Sequence, residues 1–141
     1  MKKVAIIYWS NGGNVEVLAD EISKGAKSEG ADVVIKQVQD AKVEDVTSAD
    51  AVAFGSPSMD NNRIEQKEMA PFINEFKLLP SNNKKTVLFG SYGWDEGAFL
   101  EDFEKTVTDY GFEVVGKLAV NEAPSDDQIK KAEELGKLLA K

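Results

Sequence analysis

The chain has 141 residues, seventeen basic and twenty-five acidic, for a net charge of −8, and it contains no cysteine and no histidine. A disulfide, a thiolate nucleophile, a Ser–His dyad, a His–Cys zinc site and a histidine-ligated haem are therefore excluded. The acidity disfavours nucleic acid and anionic membrane surfaces and favours partners with a basic face.

The first run, Lys3–Trp9, is apolar and β-branched and predicts a buried strand. It is too short to cross a bilayer, and no small-residue cleavage site follows it, so it predicts a cytoplasmic chain without a membrane segment. Val15, Leu18, Ala19, Ile22 and Ala26 then repeat at helical spacing, and Gly30 stands where a helix C-cap is wanted. A second strand is expected over Val33–Val38, a short helix over Val43–Ser48 and a third strand over Ala51–Gly55. Met69–Leu78 predicts a helix, Pro80–Lys85 a turn and Thr86–Ser91 a fourth strand. Leu100, Phe103, Val107 and Tyr110 mark a helix closed by Gly111, and Glu113–Val120 marks the fifth strand. Ser125 and Gln128 form a capping-box pair ahead of Ile129, Ala132, Leu135, Gly136 and Leu139. Strands alternating with amphipathic helices predict an α/β fold, a parallel five-stranded sheet with helices on both faces. No linker or repeat interrupts the chain, so residues 1–141 read as one domain.

In such a sheet ligands bind beyond the carboxyl ends of the strands, where strand order reverses. The loop after the first strand, Ser10-Asn11-Gly12-Gly13-Asn14-Val15, offers glycines, a hydroxyl, two amides and a helix N-terminus but no cation. That combination suits a phosphate held by neutral donors and the helix dipole. A tight Gly-containing strand–helix turn has the same composition, so this loop gains meaning only beside the others. The loops after the third and fourth strands are Ser56-Pro57-Ser58-Met59-Asp60-Asn61-Asn62 and Ser91-Tyr92-Gly93-Trp94-Asp95-Glu96-Gly97. Met59 and Trp94 are large apolar side chains among polar turn formers. Either alone could be a buried loop anchor, but the pair beside a phosphate nest fits a flat aromatic cofactor.

With Tyr8-Trp9-Ser10, Gly13-Asn14, Gly55, Met59, Pro71-Phe72 and above all Leu88-Phe89-Gly90-Ser91-Tyr92-Gly93-Trp94, the chain resembles the short-chain flavodoxins of anaerobic bacteria over essentially its whole length. The resemblance implies a flavodoxin-like doubly wound sheet of strand order 2-1-3-4-5 and a non-covalently bound FMN. It also implies a low-potential one-electron carrier, monomeric and without catalytic side chains, that meets its redox partners transiently. Ser10 to Val15 would wrap the phosphate, with Met59 on the inner flavin face and Trp94 on the outer. Backbone groups of the second and third loops, Ser56 to Asn62 and Ser91 to Trp94 with Glu96 and Gly97, would meet the ring edge. The Gly111–Ser125 interval has no room for the insertion of long-chain members.

Two departures from the family pattern stand out. Gly12 and Val15 replace two threonines, removing two hydroxyl donors to the phosphate, and Asp60 stands where glycine is common in the turn that meets flavin N5. Alternative readings are an FMN-dependent NAD(P)H quinone or azo reductase of related fold, and a degenerate module with weak FMN binding. A signalling receiver domain needs an acidic pair after the first strand, where this chain has Ser10-Asn11.

Overall fold

Strands that are apolar on both faces need cover on both faces, and this requirement organises the molecule. The computed structural model describes residues 2–10, 13–59, 63–93 and 96–141. Its elements in chain order are β1 (Lys3–Tyr8), α1 (Asn14–Ser28), β2 (Asp32–Gln37), α2 (Val43–Thr47), β3 (Ala51–Gly55), α3 (Met69–Asn74), β4 (Lys85–Tyr92), α4 (Phe99–Asp109), β5 (Glu113–Asn121) and α5 (Asp126–Ala140). The strands form one parallel sheet in the order β2-β1-β3-β4-β5, with β1 and β3 adjacent at the reversal.

Successive residues of a strand serve opposite layers. Val4, Ile6 and Tyr8 of β1 pack with α1 and α5, while Ala5 and Ile7 pack on the face covered by α3 and α4. The second layer is rich in aromatic rings. Phe54 lies with its centroid 5.6 Å from Phe112 in an edge-to-face arrangement and 6.3 Å from both Phe76 and Phe103.

The first layer instead relies on close approach. A Cβ at Gly25 would run into the carbonyl of Glu133, and one at Gly136 into the carbonyl of Ile22, so α1 and α5 cross almost backbone to backbone.

Several boundaries differ from the expected ones for local reasons. The second strand lies one residue earlier, at Asp32–Gln37, because Val38 opens a 3₁₀ turn. The helix expected over Met69–Leu78 changes to 3₁₀ at Glu75. β4 runs on to Tyr92, because Ser91 and Tyr92 still pair with Val120 and Asn121. In the expected turn before β4, Asn82 and Asn83 both take positive φ, 54° and 55°, and the Lys84 N–H donates to the Ser81 carbonyl at 3.0 Å. Asparagine tolerates that backbone better than most residues. Gly30, at φ 88°, follows the C-cap residue Glu29. The capping box at Ser125 and Gln128 is formed.

Two charged side chains fasten the short helix α2. The Asp45 carboxylate accepts the Lys42 N–H at 2.8 Å and the Lys36 ammonium at 3.1 Å. The Lys84 ammonium donates to the carbonyls of Val46 and Ala49 at the other end. The backbone bond from Lys42 first, and then Lys36, hold the Asp45 carboxyl below its ordinary pKa.

Two outcomes follow from this packing. Gly136→Ala should lower stability by about 1–3 kcal/mol, because the added carbon forces α1 and α5 apart. An unchanged denaturation midpoint would show that the crossing is looser than described. Asp45→Asn should cost about 1 kcal/mol near neutrality. Because the folded-state pKa is depressed, Asp45 stabilises above its unfolded pKa and loses that effect as pH falls through the folded value. The difference between wild type and variant should therefore vanish in acid, and a gap that persists there would contradict the assignment.

Candidate functional site

At the carboxyl edge of the sheet, between the ends of β1, β3 and β4, the chain encloses a cleft of about 270 Å³. Trp9, Ser10, Asn14, Val15, Pro57, Met59 and Ser91 line it, so it joins all three loops singled out from the sequence. Among the described residues of that lining none is charged.

The floor is built by α1. Its N-cap, Gly13, holds φ 91°, a left-handed conformation that costs glycine little, and no side chain among the described residues caps the helix. The Ser10 Oγ accepts the Gly13 N–H at 3.2 Å, and the Ser10 N–H reaches Gln37 Oε1 at 3.4 Å. The first amides of α1, at Asn14, Val15 and Glu16, find no acceptor among the described residues. α5, by contrast, is closed by Ser125. An uncapped helix start with a neutral rim suits an anion.

The walls come from the ends of β3 and β4. The Ser58 N–H donates to the Ser91 carbonyl at 2.8 Å, and the Met59 N–H donates to the Arg63 carbonyl at 2.7 Å, which closes the second loop at its neck. A Cβ at Gly90 would strike the Ser56 carbonyl, so β4 can run this close to the second loop only with glycine there. Met59 presents its thioether at the mouth, 40% exposed, a large apolar surface where a soluble protein ordinarily places polar groups.

The expected residues sort as follows. Ser10, Asn14, Val15, Pro57, Met59 and Ser91 meet at the cleft, and Gly13 shapes its floor. Ser56 is fully buried and Ser58 half-buried, both acting through loop hydrogen bonds. Tyr92 packs against the aromatic layer instead of lining the cleft. Gly93 is exposed, Glu96 takes φ 54° and Gly97 φ 88°, and none of them lines it. Asn11, Gly12, Asp60, Asn61, Asn62 and Trp94 lie outside the described residues.

One lining residue was missed from the sequence. Trp9 reads there as the end of a strand, yet the strand ends at Tyr8. The indole N–H of Trp9 donates to Glu68 Oε1 at 2.9 Å. A bulky aromatic immediately before a Gly-rich loop was the available signal.

Glu16 and Asp20 lie in the first two turns of α1. Tyr8 donates its hydroxyl to Glu16 Oε1 at 3.1 Å, and burial first, then Glu16, push the tyrosine pKa up to about 12. Burial, followed by the Glu16 charge, raises the pKa of Asp20.

A larger groove of about 580 Å³ lies between α3 and α4, lined by Ile64, Pro71, Phe99 and Phe103 among others. Unlike the described lining of the strand-end cleft, its lining includes charged residues, Arg63 and Asp102.

Comparison with known proteins places this geometry. Residues 6–136 match the family model described as flavodoxin. A flavodoxin of Megasphaera elsdenii is 39% identical over 139 residues, covering 98% of each chain. One of Clostridium beijerinckii is 36% identical over 96% of this chain and 97% of that one. The solution structure of two-electron reduced Megasphaera elsdenii flavodoxin has a TM-score of 0.85 at 37% identity, covering 97% of this chain and 98% of that chain. With its sheet order, its strand-end cleft and this full-length similarity, the chain belongs to the flavodoxin family.

Proposed function

We propose that the chain is a low-potential one-electron carrier that holds FMN non-covalently, works as a monomer and meets larger redox enzymes transiently through their basic faces. The observation that carries this reading is the start of α1, uncapped among the described residues, opening into a cleft whose described lining is uncharged. FMN supplies the electron chemistry when bound, and no side chain need be catalytic.

The residues of the cleft fit this cofactor. The open amides at the start of α1, with the Ser10 hydroxyl and the Asn14 amide, offer neutral donors to a terminal phosphate. Pro57 and Met59 give an apolar wall for the ring, and by family resemblance Trp94 covers its other face. Ser91 and the backbone of its loop lie toward the ring edge.

Charge outside the cleft sets the potential and the partner. In a parallel sheet each crossover helix runs back toward the start of the strands, so helix N-termini gather at the strands' carboxyl edge. The first turns there carry Glu16 on α1, Glu44 and Asp45 on α2, Glu101 and Asp102 on α4, and Asp126 and Asp127 on α5. With a net charge of −8, this field disfavours additional negative charge on a bound flavin, which makes the reduced carrier a strong reductant. The same field steers partners of opposite sign, with an ionic-strength dependence.

Titration of the apoprotein with FMN, FAD and riboflavin tests the reading. FMN should bind tightest, and equal affinity for riboflavin would show that the start of α1 does not hold a phosphate. Val15 provides a sharper test, because its side chain is only 2% exposed yet borders the cleft. Val15→Thr should destabilise the apoprotein by about 1–3 kcal/mol by burying an unpaired hydroxyl. It should nevertheless tighten FMN about tenfold by adding a donor to a charged group, more with Gly12→Thr, and leave riboflavin unchanged. Unchanged FMN affinity would mean that the asparagines already satisfy the phosphate.

A further inference from the structure

We propose that Glu65 is a positioning residue for the cofactor cleft, tethering through Ser56 the Pro57–Met59 wall of the second loop. The inference rests on the FMN reading and deepens it.

Glu65 is 3% exposed, and a carboxylate so placed is costly unless its oxygens are satisfied. Here they are. Oε1 accepts the N–H groups of Glu68 at 2.7 Å and Met69 at 2.8 Å, and Oε2 accepts the N–H of Lys67 at 2.9 Å. These donors lead into α3, where the positive end of the helix dipole favours the charge. An exposed serine or aspartate would cap this short helix without burying a charge.

The tether lies on the backbone side of the same residue. The Glu65 N–H donates to Ser56 Oγ at 2.8 Å, and Ser56 Oγ donates in turn to the Pro57 carbonyl at 2.8 Å. Ser56 is itself fixed to β4, its N–H donating to the Phe89 carbonyl at 3.1 Å. The outgoing leg of the loop is thus sewn to β4, and the returning leg is sewn to the outgoing one at Met59–Arg63 and again at Ser56–Glu65. Pro57 and Met59, the two residues of this loop that line the cleft, lie between those fastenings. Loosening Glu65 frees the wall without touching the phosphate floor on α1.

The test compares Glu65→Gln and Ser56→Ala with Ser125→Ala, which removes the cap of α5, a helix with no residue in the described lining of the cleft. FMN and riboflavin dissociation constants, the two one-electron midpoint potentials and apoprotein thermal stability are measured for each. Glu65→Gln and Ser56→Ala should weaken FMN and riboflavin by a similar factor, about tenfold, because the ring wall and not the phosphate is disturbed. Both should shift the potentials, whereas Ser125→Ala should lower thermal stability alone. Should Glu65→Gln fail to fold, Ser56→Ala, which loses only a hydroxyl, carries the comparison. Affinities and potentials unmoved in Ser56→Ala would overturn the proposal and leave Glu65 a helix cap. Failure of the wild-type chain to bind FMN would sink the functional reading instead. In that case exchange of the Met59 amide in the apoprotein, faster in Ser56→Ala than in wild type or not, decides the tether separately.

Discussion

The crossing of α1 over α5 is the contact on which the site depends. Gly25 and Gly136 bring the two backbones together at the level where Ile22 and Glu133 expose their carbonyls. That depth fixes α1 against the sheet, and with it the place where the helix begins. Since Asn14 and Val15 are at once the first turn of α1 and the floor of the cleft, the position of the floor is decided by packing about two to three helical turns further along α1. A wider crossing would move the open amides away from the loops that complete the site.

The second consequence is electrostatic. The chain is strongly acidic, yet the described lining of the cleft carries no charge, and Glu16, in the first turn of α1, is engaged by the hydroxyl of Tyr8. On the proposed reading, attraction for the phosphate comes from aligned peptide dipoles and neutral donors, which act at short range, while the surrounding acidic turns act at long range on partners. Separation of these two scales lets one molecule bind an anionic cofactor and still present a negative face.

The sheet and its helices were legible because strand burial and helical period write directly into the sequence. Val4 to Tyr8 is apolar at every residue because both faces are covered, and Val15 to Ala26 repeats as one side of α1. What could not be read were features that exist only after folding. Glu65 sits in the polar stretch Glu65-Gln66-Lys67-Glu68 and resembles solvated loop, and only the approach of Ser56 makes it a buried tether. The helix after Met69 tightens to 3₁₀ where Leu78, 92% exposed, no longer has a layer to pack against. Tyr92 shows the converse, since the sequence placed it in the loop after the fourth strand while β4 continues through it.

The central claim, that the chain carries electrons and does not itself draw hydride from a nicotinamide, is tested most directly by mixing the FMN-loaded protein anaerobically with NADPH alone. The visible flavin absorption should persist for minutes and bleach promptly once a flavodoxin reductase is added. Rapid bleaching by NADPH without a reductase would contradict the account.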